Sequence, residues 1–293
     1  MRPYLFLILG VIAISFAAIF IRLAEAPALV IAAYRLTIAV VVLFPFTLVK
    51  TIRTMNKISK RDFILVILSG ILIALHFWLW ITSLEYTSIA SSVVLVTAHP
   101  AFVAILSYLL WRQRLTRPVI VGIIFVITGV VIMNLGNVNF SSQVLIGNTL
   151  ALTAGLAMGG YLVIGHHLRN RIDLMSYITA VYSISAVLII FATILAGYSL
   201  VNYSGDTFVM LILLALVPQL IGHSSLNLAV RYLPAIIVSV AILGEPVGAT
   251  ILGIVVLDEV PGITEIIGGI IIISGIIYVI RKNKQIAAIT VRN

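Results

Sequence analysis

The chain has 293 residues, of which 62% are hydrophobic and only 9% charged, and its net charge at pH 7 is +9. Soluble domains carry about 25% charged residues, so water is excluded as the solvent for most of this surface and the chain reads as an integral membrane protein. The basic excess does not point to nucleic acid, because it lies in short gaps between apolar runs, and the absence of cysteine excludes disulfides and thiolate metal sites.

A hydrocarbon core roughly 30 Å thick needs about 20 apolar residues as helix, and the apolar runs have that length. The first, 3–21, is too long for a secretory h-region and is followed by many like it, so it is expected to stay as a span; it carries Ser15. The second, 27–49, holds Tyr34 and Arg35, and the third, 63–84, holds His76, Phe77, Trp78 and Trp80. The fourth, 87–110, contains His99-Pro100, and the fifth, 118–135, contains Gly122 and Gly129. Residues 118–168 carry no charge and are too long for one span, so the cluster Asn134, Gly136, Asn137, Asn139, Ser141 and Ser142 marks a turn before the sixth, 147–167, which holds Tyr161. Four more follow: 174–197; 207–230 with Gln219, His223 and Asn227; 233–257 with Glu245; and 263–280. Barrel strands would be about 10 residues long with alternating polarity. These runs are longer and do not alternate, so the fold class is all-α, a polytopic bundle of ten transmembrane helices.

Basic residues set the orientation. With a cytoplasmic N-terminus, every Lys and Arg falls on the inner side except Arg22 outside and Arg35 within a span. Both termini are therefore expected in the cytoplasm, with the protein in the inner (plasma) membrane.

A second regularity overlies the spans. Tyr86 recurs as Tyr232, Pro100 as Pro246, Gly122 as Gly268 and Gly129 as Gly275, all at an offset of 146. Proline and glycine have positional meaning in helices, so their recurrence points to one unit used twice, residues 1–140 and 141–293. Five spans per unit is an odd number, which makes the second unit enter from the opposite face. Inverted repeats of this kind let one central site open to either side in turn.

The segment Leu84-Glu85-Tyr86-Thr87-Ser88-Ile89-Ala90, the turn Trp111-Arg112-Gln113-Arg114-Leu115-Thr116, and in the second copy Leu243-Gly244-Glu245-Pro246 and Leu257-Asp258-Glu259-Val260-Pro261 make the chain similar to the drug/metabolite transporter superfamily, EamA type. The resemblance covers nearly the whole chain. It implies a carrier of amino acids, related metabolites or drugs, often moved outward, without indicating which substrate. Family members often have Glu where this chain has Gln113, whereas Glu259 keeps the acid. The turn acids are accordingly expected to be structural, bonding helix ends or loop backbone.

Polar groups inside a span are costly, so they usually face the bundle interior. His99 and Glu245 stand at the repeat offset, each before a proline that removes a backbone donor, so both helices are expected to kink beside a central site. There Glu245 would pair a cationic group or exchange a proton; the alternative is that Arg35 or a hydroxyl holds it and it only fixes packing. His76 and Trp80 share a helix face suited to a flat ligand, while Trp78 and Trp111 read as interfacial anchors. Gly155 with Gly159, and Gly244 with Gly248, point to close helix approach. The glycine-spaced fifth and tenth spans are expected to pack against each other or, in a homodimer, against a second copy.

These readings combine into a secondary transporter rather than an enzyme, moving a small organic metabolite by alternating access. An exported amino acid or related amphipathic amine is the first choice of substrate. The expected substrate-binding residues are Ser15, Tyr34, His76, Trp80, His99, Tyr161, His223, Asn227 and Glu245. No metal or cofactor is expected; the partners are substrate and lipid bilayer, and the driving force is a gradient of protons or of substrate. Two rivals stand: an integral membrane enzyme acting on lipid, and the same fold with a nucleoside or nucleotide sugar as cargo.

Overall fold

The structure, a computed structural model, describes residues 2–111, 117–135, 142–168, 171–223, 225–226, 242 and 244–290. Their regular structure is entirely helical. In chain order it comprises α1 (Arg2–Ser15), α2 (Ala17–Leu23), α3 (Ala28–Met55), α4 (Lys60–Tyr86), α5 (Ile89–Val96), α6 (His99–Trp111), α7 (Arg117–Leu135), α8 (Ser142–Leu168), α9 (Leu174–Leu195) and α10 (Gly205–Leu214). A π-helical stretch (Ala215–Gly222), α11 (Gly244–Leu257) and α12 (Ile263–Thr290) complete it. Among the described residues seven helical segments are long and apolar enough to cross a membrane, and three shorter apolar helices lie at 117–132, 244–257 and 263–279.

Helix starts follow local chemistry. Ser59, Ser88, Asp173 and Ser204 each accept a hydrogen bond from the backbone N–H three residues on, at 3.1, 3.0, 3.3 and 3.1 Å, satisfying one orphan donor at the N-termini of α4, α5, α9 and α10. Gly197, at φ +74°, takes the left-handed conformation that ends α9.

The interior joins α2, α3, α4, α8 and α9 through fully covered apolar residues such as Ala32, Leu36, Val66, Ala154 and Val181. Large apolar side chains also cover the outside, among them Phe46, Val187, Phe191 and Val255, the surface expected where the solvent is lipid. In such a solvent helices are held by close packing and interhelical hydrogen bonds, and α9 shows both. Its Tyr177 Oη donates to Ser69 Oγ at 2.8 Å, Ser185 Oγ donates to the Gly70 carbonyl at 2.7 Å, and Thr179 Oγ1 donates to Thr47 Oγ1 at 3.0 Å.

The glycine expectations resolve into particular seams. Gly155 and Gly159 of α8 pass the broken fourth span closely: a methyl would lie 3.0 Å from the Val96 carbonyl in one case and 3.0 Å from Phe102 Cβ in the other. Gly244 and Gly248 of α11 meet Val11 and Ser15 of α1. Helices α7 and α12 pack against each other, with Gly122 facing Gly275 and Gly129 facing Gly268.

Connections expected on one face of the membrane also meet in space. Arg22, in the last turn of α2, donates to the Thr87 carbonyl at 2.8 Å and pairs with Glu259, after α11, at 3.3 Å. Glu259 also accepts from the Ile89 N–H, and Glu265 accepts from the hydroxyls of Ser88 and Ser91, so two carboxylates of the second half latch the N-terminus of α5. Glu259 is thus bound to a helix end and to backbone, as the turn acids were expected to be; Gln113 lies outside the described residues. At the other end Arg171 pairs with Asp62 at 2.8 Å and Lys50 with Asp173 at 3.0 Å.

Candidate functional site: a cavity between the helices

Three spans lose regular α geometry near the middle of the bundle. Span one breaks at Phe16, between α1 and α2, and span four breaks at Thr97 and Ala98, between α5 and α6. His99-Pro100 opens α6, where the missing proline N–H is one of the first-turn orphans. The irregularity expected at His99 is present as a two-residue turn, Thr97 and Ala98, just before it. For span nine the described helix begins at Gly244, just before Glu245-Pro246. In span eight α10 passes into the π-helical stretch containing Pro218, a widening that single-turn π segments often provide at functional sites. Pro218 is the sequence signal for this irregularity.

These interruptions surround a cavity of about 540 Å³, within the range of small-molecule sites. Among the described residues its wall includes Ile14 and Ala17 beside the first break, Val96, Thr97 and His99 at the second, Pro218 and His223 at the third, and Glu245. The exposed His166 and Leu174, beside the α8–α9 connection, also line it, whereas none of the latch residues Arg22, Ser88, Glu259 and Glu265 does.

The structure brings together His76, Trp80, His99, Tyr161, His223 and Glu245 on this wall. His76 stacks on Trp80 with centroids 6.1 Å apart and meets Phe77 edge-on at 4.9 Å. Its Nδ1 lies 3.0 Å from the Ala154 carbonyl of α8, which only accepts, so Nδ1 carries the proton and a neutral ring leaves Nε2 as acceptor. Tyr161 stacks on Tyr177 at 5.9 Å. His99 Nδ1 lies 3.4 Å from the Val96 carbonyl, one turn back across the break. Glu245, half-buried, has no ion pair or hydrogen bond among the described residues.

Ser15 and Tyr34 are not on the wall. Ser15 Oγ donates to the Val11 carbonyl at 2.8 Å and fills the space over Gly248, a packing contact between α1 and α11. Tyr34 points toward the far end, where its hydroxyl donates to the Leu200 carbonyl at 2.7 Å and its ring meets Phe208 edge-on. Asn227 lies outside the described residues.

Arg35, Tyr177 and Tyr182, absent from the expected set, also line the wall, and Gln219, not itself on it, links two of them. Arg35, 2% exposed, donates from Nε to Gln219 Oε1 at 2.8 Å, and Gln219 Nε2 donates to Tyr182 Oη at 2.7 Å. The guanidinium carbon sits 4.3 Å from the centroid of the Phe77 ring and 5.7 Å from that of Trp80. Arg35 does not pair with Glu245: the ion pairs among the described residues all lie at the ends of the bundle. Arg35 and Gln219 had a signal in the sequence, since both are polar and in mid-span. Tyr177 and Tyr182 had no signal that set them apart from the other tyrosines of the apolar runs.

The fold and its duplicated pattern are shared with known proteins. The EamA-like transporter family matches residues 1–135 and again 145–281. A protein of Bacillus subtilis (strain 168) described as uncharacterized transporter YetK is 26% identical over 235 residues, covering 78% of this chain and 71% of its own. An uncharacterized transporter of Clostridium kluyveri is 26% identical over 263 residues, covering 85% and 82%. A solved structure titled only as the crystal structure of a protein superposes with a TM-score of 0.65 over 95% of this chain and 96% of its own, at 16% identity, which speaks to fold alone. With apolar helices of spanning length around a polar-lined cavity, and with the family matched once in each half, the chain belongs to the EamA-like transporter family of the drug/metabolite superfamily and is a multi-pass membrane transporter.

Proposed function

We propose that the protein moves a small amphipathic organic metabolite, first an amino acid or related amine, out of the cytoplasm by alternating access between two inverted five-helix halves. The observation that carries this reading is the cavity itself. It has a volume suited to one small ligand, walls of stacked aromatic rings, and two ionisable side chains of opposite sign, Arg35 and Glu245, that form no ion pair among the described residues. The aromatic faces would enclose the apolar part of the cargo, and Glu245 would meet an ammonium group or take a proton.

The inverted arrangement is supported by the α7–α12 seam. Gly122 and Gly129 correspond to Gly268 and Gly275 in the repeat, and the contacts run crosswise, Gly122 to Gly275 and Gly129 to Gly268. Reciprocal contacts of that kind are what a two-fold relation between equivalent elements produces. Counting the three shorter apolar helices with the seven long segments supports a reading of ten spans. The cavity wall reaches exposed residues next to Arg171, on the face rich in basic connections, while the latch of Arg22, Glu259 and Glu265 gathers the opposite face. This form accords with an inward-facing state in which cargo enters from the cytoplasm.

The test is flux of a panel of labelled amino acids, amines and nucleosides in liposomes containing the purified protein, with and without a pH gradient. Saturable flux of an amino acid or amine, raised by the gradient, is the expected result. No flux of any of them, together with chemical change of a lipid, would replace the carrier with a membrane enzyme.

A further inference from the structure

Arg35 is built into the interior as a cation with no ion pair among the described residues, the Glu245 charge acting on it only from beyond salt-bridge distance. It is 2% exposed and on the cavity wall, and among the described residues its one hydrogen bond is from Nε–H to the neutral Gln219. Nη1 is buried with no partner, and the Nε1–H of Trp80, whose ring centroid is 5.7 Å from the guanidinium carbon, is also buried without one. No carboxylate lies within 4.0 Å of Arg35 among the described residues. Buried charges in proteins are normally paired, because desolvating an isolated ion costs far more than an aromatic face returns. Gln219 and Phe77 hold the guanidinium in place without neutralising it, which leaves its charge for something that enters the cavity.

We propose that Arg35 is the anion subsite of this cavity, binding the carboxylate of an organic acid, with Trp80 Nε1–H as the neighbouring donor and the Phe77 and Trp80 rings against the apolar part of the same ligand. Guanidinium and carboxylate match as a planar pair of donors and acceptors. Glu245, elsewhere on the same wall, would repel a second carboxylate and attract an ammonium. The chemistry selected is therefore a monocarboxylate, free or as the acid end of a zwitterion, and not a simple amine. The proposal rests on the carrier reading for the biological role of the cavity, but it concerns binding and is tested without transport.

The experiment uses the purified full chain in detergent and the three pairs benzoate with benzamide, 3-phenylpropanoate with its amide, and phenylalanine with phenylalaninamide, with binding followed by tryptophan fluorescence and thermal unfolding. At least one carboxylate is expected to bind about tenfold or more tighter than its isosteric amide, the scale of a charge-assisted contact. Arg35→Gln is expected to bring that ratio near one, and Arg35→Lys to keep part of it. Equal affinity for acid and amide in the unaltered protein, a ratio that survives Arg35→Gln, or no saturable binding of any acid at millimolar concentration would each overturn the proposal. The ratio in the unaltered protein decides the matter even if Arg35→Gln does not fold. Arg35-dependent acid binding with no flux in liposomes would leave the subsite standing and remove the carrier; amine flux indifferent to a carboxylate would do the reverse.

Discussion

At the residue scale, the two ends of the molecule and its middle use charge differently. Asp173 belongs to an end: it caps α9 through the Ser176 N–H and pairs with Lys50 at 3.0 Å. Partial burial pushes its carboxyl up, but the bonds from Ser176 and Lys50 outweigh this and hold it below the ordinary 3.8. A depressed carboxylate adds stability that is fully present above the unfolded value and is lost as pH falls through the folded one. Asp173→Asn keeps a good cap and removes the charge. Its melting temperature should therefore fall below that of the unaltered protein near neutral pH, and the gap should close below pH 3.8. Glu245 belongs to the middle and has no hydrogen bond or ion pair among the described residues. Glu245→Gln should lower flux about tenfold, the scale of one lost charge-assisted contact, and flatten its pH profile. An unchanged rate and profile would assign the residue to packing.

At the element scale, the α7–α12 seam depends on the absence of side chains. A methyl at Gly129 would lie 2.6 Å from the Gly268 carbonyl oxygen and 2.5 Å from Ile272 Cγ1, so backbone itself blocks it. Alanine gains about 1 kcal/mol of helix propensity over glycine, but overpacking costs about 1–3 kcal/mol, and a rigid backbone neighbour sets the upper part of that range. Gly129→Ala should therefore lower the unfolding temperature in detergent. Gly205→Ala, at the start of α10 with nothing within 4 Å, should leave it level or higher. The broken elements follow a different logic. Pro100 and Pro218 each remove a backbone donor, and both breaks are tolerated because they line a cavity instead of lipid.

At the scale of the whole molecule, orientation can be read directly because the chain has no cysteine to mask a label. A cysteine replacing the exposed Val201, in the α9–α10 connection, should react with a membrane-impermeant maleimide in intact cells. One replacing the exposed Lys57, between α3 and α4, should react only after permeabilisation. The opposite pattern would invert the topology and turn the face beside His166 and Leu174 outward.

Membrane class, helical architecture, the approximate spans and the repeat were determined by the sequence alone, because bilayer thickness imposes a length on apolar runs, and proline and glycine keep their positional meaning whatever surrounds them. The same constraint made Arg35, His76, His99, His223 and Glu245 visible, since an ionisable group in an apolar run has few places to go. Only the tertiary structure decided which of them share a wall. Tyr34 and Ser15 have the chemistry of ligand contacts yet turn to a loop carbonyl and to a helix seam. Tyr182 joins Arg35 through Gln219 across three elements far apart in sequence. The period of a helix indicates which residues share a face. Which face meets the cavity depends on the breaks at Phe16, Thr97 and Pro218 and on how neighbouring helices pack against the segments beyond them.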